Sequence, residues 1–463
     1  MKVCLWDTRT NDVQKDFAGG MGVGMPTGAG GARSRFIRHM YKRDVRPTAL
    51  NFAYLVAVLK QLGLDVRYSI DKVVPADVFI FNPALLSLDL EMETIEKVSA
   101  QYPKSKILIV GQVAYAMADT IAQTQADNVT VIKGEPEQLL FKWDEVLQTN
   151  ERIIEVGVVA DLDSLPMPDW SLFEFKKYRI LYDFWRFPTT YIQQSRGCTF
   201  KCNYCPYIMI ESKTRFRDPV RVAAEMQHGI DRYGFESFKF RDPLFGLNRK
   251  KALQLADEIG RLSKRVQFSI ETRVDLMKVE TLKALKAVGL TSITIGIETP
   301  DEHTLKKYDR VAINDDRQRN FVRTCRSMGI RTVAGFMVGF PDDTTQSIYD
   351  VLNYARKVNP TYANFNIVTP YPGTQFFNEV KDDVADFNYQ RYSVYQPVMK
   401  YKNLTADQVK ELHGKCFSKF YFRSRYFKEN GRLLWPQLDR FLPAAKTEPL
   451  AGEQIKQPQR SAA

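Results

Sequence analysis

The chain has 463 residues, 44% of them hydrophobic and 12% aromatic, a composition that suits a folded globular protein with two or three cores. No apolar run approaches the ~18 residues a membrane span needs, which excludes a transmembrane helix. The net charge of +12 is diffuse, with no run of five or six basic residues, so it reads as a solvated basic surface before a nucleic-acid or membrane patch.

In chain order, residues 1–8 (MKVCLWDT) form an apolar strand. With no hydrophobic leader and no small-residue cleavage site, they point to the reducing cytoplasm. Asp16–Phe36 holds too many glycines for a helix or strand. It lacks the Lys-Ser/Thr ending of a P-loop and the G-x-G-x-x-G register, so it reads as a loop closing over a cofactor or substrate. Residues 48–62 have helical spacing and end at Gly63. Short β-branched runs at 66–70, 77–82, 106–111 and 129–134 alternate with helical stretches near 91–101 and 113–123, which predicts a parallel sheet covered on both faces. Ligands on such sheets bind at the carboxyl ends of the strands, where Asn82, Gly111, Gln112, Gly134 and Glu135 fall.

Residues 151–190 read as a connector, with Pro166 and Pro168 in an aperiodic, extended stretch. From 189 to 380, strands at 189–195, 236–241, 266–272, 291–297, 331–338 and 361–368 alternate with helices at 219–233, 248–264, 278–288, 302–307, 314–328 and 344–358. Six right-handed β/α units make a partial barrel, whose chemistry sits at the C-terminal strand ends. The fold class is therefore α/β: a Rossmann-like parallel-sheet domain (1–150), a connector (151–188), a partial (β/α)6 TIM-type barrel (189–380) and a mostly helical C-terminal region (381–443). A polar, disordered tail (444–463) follows. Residues 415–435 are expected to be one helix with a turn at Gly431, packing Phe417, Phe420, Phe422, Tyr426 and Phe427 on the core or presenting them to a membrane interface.

Half of the six cysteines, Cys198, Cys202 and Cys205, stand on one short loop after a predicted strand. Three thiolates so spaced can ligate three corners of an iron–sulfur cubane and leave one iron open to a small molecule. Structural zinc needs four protein ligands; no second cysteine pair exists, and His39, His228, His303 and His413 are scattered. Zinc or inert thiols remain the alternatives. Cys4, Cys325 and Cys416 lie in apolar contexts and read as buried structural thiols.

The run Cys198-Thr-Phe-Lys-Cys202-Asn-Tyr-Cys205 resembles the signature of the radical S-adenosylmethionine (SAM) superfamily. The resemblance implies a [4Fe-4S] cluster on these cysteines, with SAM chelating the open iron. It implies SAM contacts from Tyr204, from Asp242 after the second barrel strand, from Glu271, Arg273 and Glu298 after the third and fourth, and from Gly335 on the fifth. Residues 47–150, with a strand ending near Gly111 and a Gly-Glu-x-Glu turn at Gly134–Glu137, resemble the cobalamin-binding domain that precedes many such barrels, which implies cobalamin near Asn82, Gly111, Gln112, Gly134 and Glu135. The Asp-x-His-x-x-Gly motif that supplies a histidine to cobalt is absent, as it often is in radical SAM relatives. A domain that has lost cobalamin is the alternative.

The implied activity is cleavage of SAM to a 5′-deoxyadenosyl radical that activates an unactivated C–H bond of a small, lipid-like substrate, leading to C-methylation. Oxidative cyclisation or rearrangement without methyl transfer, tRNA modification, and a sensing or electron-transfer cluster are the other readings. Against tRNA, and with it nucleic acid as a partner, stand the lack of a second cysteine triad and of an RNA-binding barrel after 380. The resemblance also implies an external electron donor such as flavodoxin or ferredoxin. The basic, aromatic C-terminus suggests peripheral membrane contact.

Overall fold

The computed structural model describes residues 1–8, 13–15, 20–24, 45–70, 72–123 and 126–434. Most of the glycine-rich loop expected over 16–36, and the tail expected over 444–463, lie outside the described residues.

The first half runs β1 (Lys2–Trp6), a short antiparallel pair β2 (Val13–Gln14) and β3 (Val23–Gly24), α1 (Leu50–Gln61), β4 (Asp65–Ser69), β5 (Val78–Phe81), α2 (Leu88–Gln101), β6 (Lys106–Ile109), α3 (Gln112–Ala116), α4 (Ala118–Ile121), β7 (Val129–Gly134), α5 (Leu139–Gln148) and β8 (Ile153–Gly157). The six long strands form one parallel sheet in the order β4-β1-β5-β6-β7-β8. Helices cover both faces, so β5 is apolar and buried at every position. The strand order reverses between β1 and β5, and such a switch point opens a ligand crevice beyond the strand C-termini. β8 lies in the segment expected to be a connector. It is an edge strand with only Val156 buried, and that weak alternation hides it in the sequence.

The connector is packed rather than extended. Trp170, Phe173, Tyr178 and Phe184 are buried between the halves, and the Asp169 amide donates to the Ala53 carbonyl. Prolines break its periodicity, but its aromatics anchor it.

The second half runs β9 (Thr189–Ile192), β10 (Ser195–Arg196), β11 (Arg215–Phe216), α6 (Pro219–Tyr233), β12 (Ser237–Phe240), α7 (Arg249–Ile259), β13 (Gln267–Thr272), α8 (Val279–Ala287), β14 (Leu290–Glu298), α9 (Glu302–Lys307), α10 (Asp315–Ser327), β15 (Arg331–Val338), α11 (Thr345–Val358), β16 (Tyr362–Ile367), α12 (Gln375–Val380), α13 (Ala406–Tyr421) and α14 (Ser424–Leu434). The strands β9-β12-β13-β14-β15-β16 pair in parallel and in sequence order, which is the expected six-unit partial barrel. Its helices begin at side-chain caps the sequence carries: Asp218, Asn248, Asp301, Asn314 and Thr344 each accept from a first-turn amide. The connector fills the lower end of the barrel, where buried Asp183 receives Lys239 Nζ at 2.7 Å.

The C-terminal stretch differs from expectation. It is two helices broken near Phe422, and Gly431 lies inside α14 with open space around it. Phe417, Phe420 and Tyr426 pack inward, Tyr426 Oη donating to the Thr361 carbonyl at 2.7 Å, while Phe422 and Phe427 are 41% and 49% exposed. The division follows helical periodicity, since a continuous helix could not turn both Phe420 and Tyr426 onto β16.

α13 is also seated through His413, whose Nε2 meets the Phe365 carbonyl at 2.9 Å inside an aromatic cage. Burial lowers its pKa from 6.5 to about 4. Protonation therefore favours the unfolded chain: the stabilisation is full above pH 6.5 and is lost as pH falls to about 4, a loss of about 3 kcal/mol. Urea unfolding at pH 7 and pH 4.5 should show this drop, and His413→Gln should flatten the dependence.

Candidate active site

Gly197 opens the cysteine loop at φ +79°, and a Cβ there would lie 2.1 Å from the Lys213 carbonyl oxygen. Only glycine lets β10 turn into the loop beside β11. Cys202 is buried, Cys198 and Cys205 are half-buried, and the Cys205 amide closes a turn on the Cys202 carbonyl at 3.0 Å. All three are free thiols. Among the described residues no three His, Cys, Asp or Glu side chains are grouped so as to hold a single metal ion. The loop is braced from three sides. Asn203 bonds Glu379 at 3.0 Å, Arg273 stacks on Phe200 at 4.3 Å, and Arg310 Nη1 approaches Cys202 Sγ at 3.8 Å. Arg310 is missed by the sequence reading, since nothing in its spacing ties it to the cysteines.

The strand ends hold their polar residues near this loop, but most are spoken for. Asp242 is fully buried and accepts from the Gln194 amide and from Ser195 Oγ at 2.6 Å; burial raises its carboxyl to about 6. It therefore ties β12 to the base of the loop rather than offering a free carboxylate. Glu271 pairs with Arg241, and Arg241 also donates to Tyr207 Oη at 3.3 Å. Arg273 forks onto Asp275 with two 3.0 Å bonds. Glu298 adopts φ +68° at a bulge and meets Arg310 Nη2 at 3.2 Å. Gly335 lies beside Gly296 in register, and a Cβ on Gly335 would touch only the Ile295 carbonyl, at 3.8 Å. Gly335 thus leaves bare backbone on the sheet, whereas Glu298 and Arg310 take the space over Gly296. The buried Tyr204 hydroxyl and Arg273 Nη1 have no hydrogen-bond partner among the described residues.

At the switch point of the first sheet, Lys15 reaches the Asn82 carbonyl, Glu91 and Asp7 at 3.0 to 3.2 Å, and the Leu85 amide bonds the Met21 carbonyl. The β2–β3 hairpin thus lies across the crevice. The polar side chains proposed at this edge serve the protein itself. Asn82 bonds Asn51, and Gln112 Nε2 bonds the Pro206 carbonyl at 3.0 Å. Glu135 forks onto Arg215 at 2.7 and 2.9 Å and accepts from the Val159 amide. Gly111 and Gly134 have φ +95° and +136°, and a side chain on either would collide with Asn82 or the Gly157 backbone. Neighbouring Glu137 pairs with Arg196 at 2.8 Å. Two carboxylates of the first sheet thus hold two arginines that flank the cysteine loop.

Residues 192–355 match the family profile described as the Radical SAM superfamily. Over these residues the chain is similar to the radical SAM superfamily. An uncharacterised methyltransferase of Pyrococcus horikoshii is 27% identical over 58% of this chain and 58% of its own length. The anaerobic magnesium-protoporphyrin IX monomethyl ester cyclase of Cereibacter sphaeroides is 27% identical over 72% of this chain and 54% of its own. The bacteriochlorophyllide d C-12(1)-methyltransferase of Chlorobaculum tepidum is 24% identical over 76% and 77%. The chain thus spans little more than half the length of the first two relatives. The radical SAM methyltransferase TsrM of Kitasatospora setae, solved with cobalamin and a [4Fe-4S] cluster, superposes with a TM-score of 0.58 at 13% identity, over 92% of this chain and 86% of its own. That likeness shows that the two share a fold.

The joint between the halves should be sensitive to charge. Glu135→Gln leaves Arg215 and Arg196 without a full counter-charge in a buried setting, and should cost about 3 kcal/mol in urea unfolding. Glu155→Gln, on the exposed edge strand β8, should change nothing measurable.

Proposed function

We propose that this radical SAM protein is a cobalamin-dependent enzyme that activates an unactivated C–H bond of a small, largely apolar molecule and methylates that carbon. The observation that supports it best is the bond from Gln112, at the end of β6, to the carbonyl of Pro206, the residue after Cys205. It brings the switch-point crevice and the cysteine loop against each other, so a methyl carrier in one would border a radical source at the other.

In this reading Cys198, Cys202 and Cys205 hold three corners of a [4Fe-4S] cluster. The donor set fits: three free thiols share one braced loop, Cys202 buried and Cys198 and Cys205 half-buried. SAM would lie by the open backbone of Gly335, near the Tyr204 hydroxyl and Arg273 Nη1, which have no partner among the described residues. Cobalamin would lie at the crevice, by likeness of fold to the cobalamin-bound TsrM structure. The side chains of Asn82, Gln112 and Glu135 are occupied within the protein, so backbone and apolar cover would hold it. When bound, the cluster and SAM supply a carbon radical and cobalamin supplies a methyl group. The chain's own part is to bind, to orient and to keep water out. Arg273 stiffens the cysteine loop through Phe200, Asp242 fixes Gln194 and Ser195 at its base, and the β2–β3 hairpin covers the crevice. The electron would come from a low-potential donor of flavodoxin or ferredoxin type.

A second reading has its own support: the match to the Cereibacter sphaeroides cyclase covers 72% of the chain. Here the same radical would lead to ring closure, with no methyl transferred. Cofactor content decides the first step. Anaerobically reconstituted protein should hold about four irons and one cobalamin, and Cys198→Ala, Cys202→Ala or Cys205→Ala should lower SAM cleavage at least ~100-fold. Four irons without cobalamin would remove methyl transfer and leave cyclisation; no cluster would remove both.

No helix among the described residues is long and apolar enough to cross a membrane. The exposed Phe422 and Phe427 support peripheral contact with an anionic surface. Co-sedimentation with anionic vesicles should be lost in a Phe422→Ser, Phe427→Ser variant; no binding by the parent protein would refute the contact.

A further inference from the structure

We propose that Arg310 raises the reduction potential of the cluster held by the cysteine loop, and that Glu298 holds this effect in check. The proposal rests on the reading of Cys198, Cys202 and Cys205 as cluster ligands. Arg310 is a positioning residue here, since it acts through the ligand sulfur.

Three observations lead to it. Arg310 is a cation that hydrogen-bonds a cysteine of the loop, Nη1 to Cys202 Sγ at 3.8 Å. Its placement is over-determined. Asp309, at φ +54°, turns the chain back after α9, the Arg310 amide bonds the Leu305 carbonyl, and Nη2 bonds the Gly296 carbonyl at 2.9 Å. Glu298 is then aimed at the same guanidinium by a backbone conformation that side chains rarely adopt, φ +68° at the strand bulge. A residue other than glycine there costs of order 1–3 kcal/mol, and such strain persists where the surroundings impose it. Gly296 makes the arrangement possible, since a Cβ on it would lie 2.3 Å from Glu298 Oε1 and 2.9 Å from Arg310 Nη2.

The chemistry follows from charge. Reduction adds one electron to the cluster, and a hydrogen-bonding cation at a ligand sulfur favours the more negative state. Both side chains are largely buried, 13% and 14% exposed, so water screens them little. The Glu298 carboxylate, 3.2 Å from Nη2, opposes part of the Arg310 field. If the pair were only a brace for the end of β14, removing either partner would loosen the same contact and move the potential in one direction. If the pair sets the potential, the two removals move it in opposite directions.

The test is an EPR-monitored redox titration of the reconstituted cluster without SAM, using a low-potential chemical reductant, with iron and sulfide measured on each sample. Arg310→Gln should lower the midpoint so that the reduced-to-oxidised ratio at a fixed potential falls about tenfold, ~59 mV for one electron. Glu298→Gln should raise it, and Arg310→Lys should lie between parent and Arg310→Gln. Equal midpoints, or shifts of the same sign, overturn the proposal while leaving the cluster reading intact. A parent protein without a four-iron cluster overturns both. If Arg310→Gln takes up no cluster, Glu298→Gln decides alone: a rise supports the proposal, and no change refutes it.

Discussion

Two carboxylates and two guanidiniums hold this molecule together where its halves meet. Glu135 and Glu137 come from the end of β7, and Arg196 and Arg215 come from the two strands that flank the cysteine loop. None of them can be buried alone, because an unpaired charge at such a joint costs several kcal/mol. Paired, they accept one register between the sheets. That register sets Gln112 against Pro206 and brings the switch-point crevice to the loop. The next layer repeats the device: Arg217 bonds Glu225 at 2.8 Å and Tyr54 at 3.2 Å, tying α1 of the first half to α6 of the second. The position of the crevice relative to the cysteines thus depends on charge pairing as well as on apolar contact.

The strand ends of the barrel show the same economy. A polar residue at the C-terminal end of a barrel strand reads as a ligand for substrate or cofactor. Here Asp242, Glu271 and Arg273 each have a protein partner, so their first task is to fix the shape of the floor. What stays available is smaller: the bare backbone at Gly335, the Tyr204 hydroxyl and one nitrogen of Arg273. Buried polar atoms without partners cost roughly 1–3 kcal/mol each. That two of them collect beside one loop is consistent with a ligand that completes them.

The sequence was most readable where local chemistry decides structure. Barrel strands such as Leu290–Glu298 and Arg331–Val338 are β-branched runs, and the helices between them start at caps such as Asp301 and Thr344. The cysteine loop stands out by count alone. Legibility failed where the deciding partner is far along the chain. Nothing local says that Glu135 will meet Arg215, 80 residues on, or that Arg310 will face Cys202, 108 residues back. The edge strand β8 and the break between α13 and α14 failed for a related reason. Each is defined by what it packs against, the free edge of a sheet in one case and β16 in the other.

The lower end of the barrel bears on the proposed substrate. Asp183 and Lys239 form a buried pair there, Arg331 stacks on Trp185 and bonds the Asp183 carbonyl, and Thr291 bonds the same oxygen at 3.0 Å. This plug belongs to the connector, so the segment that joins the halves also closes one mouth of the barrel. With that end filled, a molecule reaching the strand tops has to pass where the halves face each other, beside the hairpin across the crevice. Charged partners already line that joint and face one another. An apolar substrate could therefore enter without breaking them, whereas a highly charged one would compete with each pair it passed. The pairing that fixes the two halves thus also favours the apolar class of substrate proposed for the site.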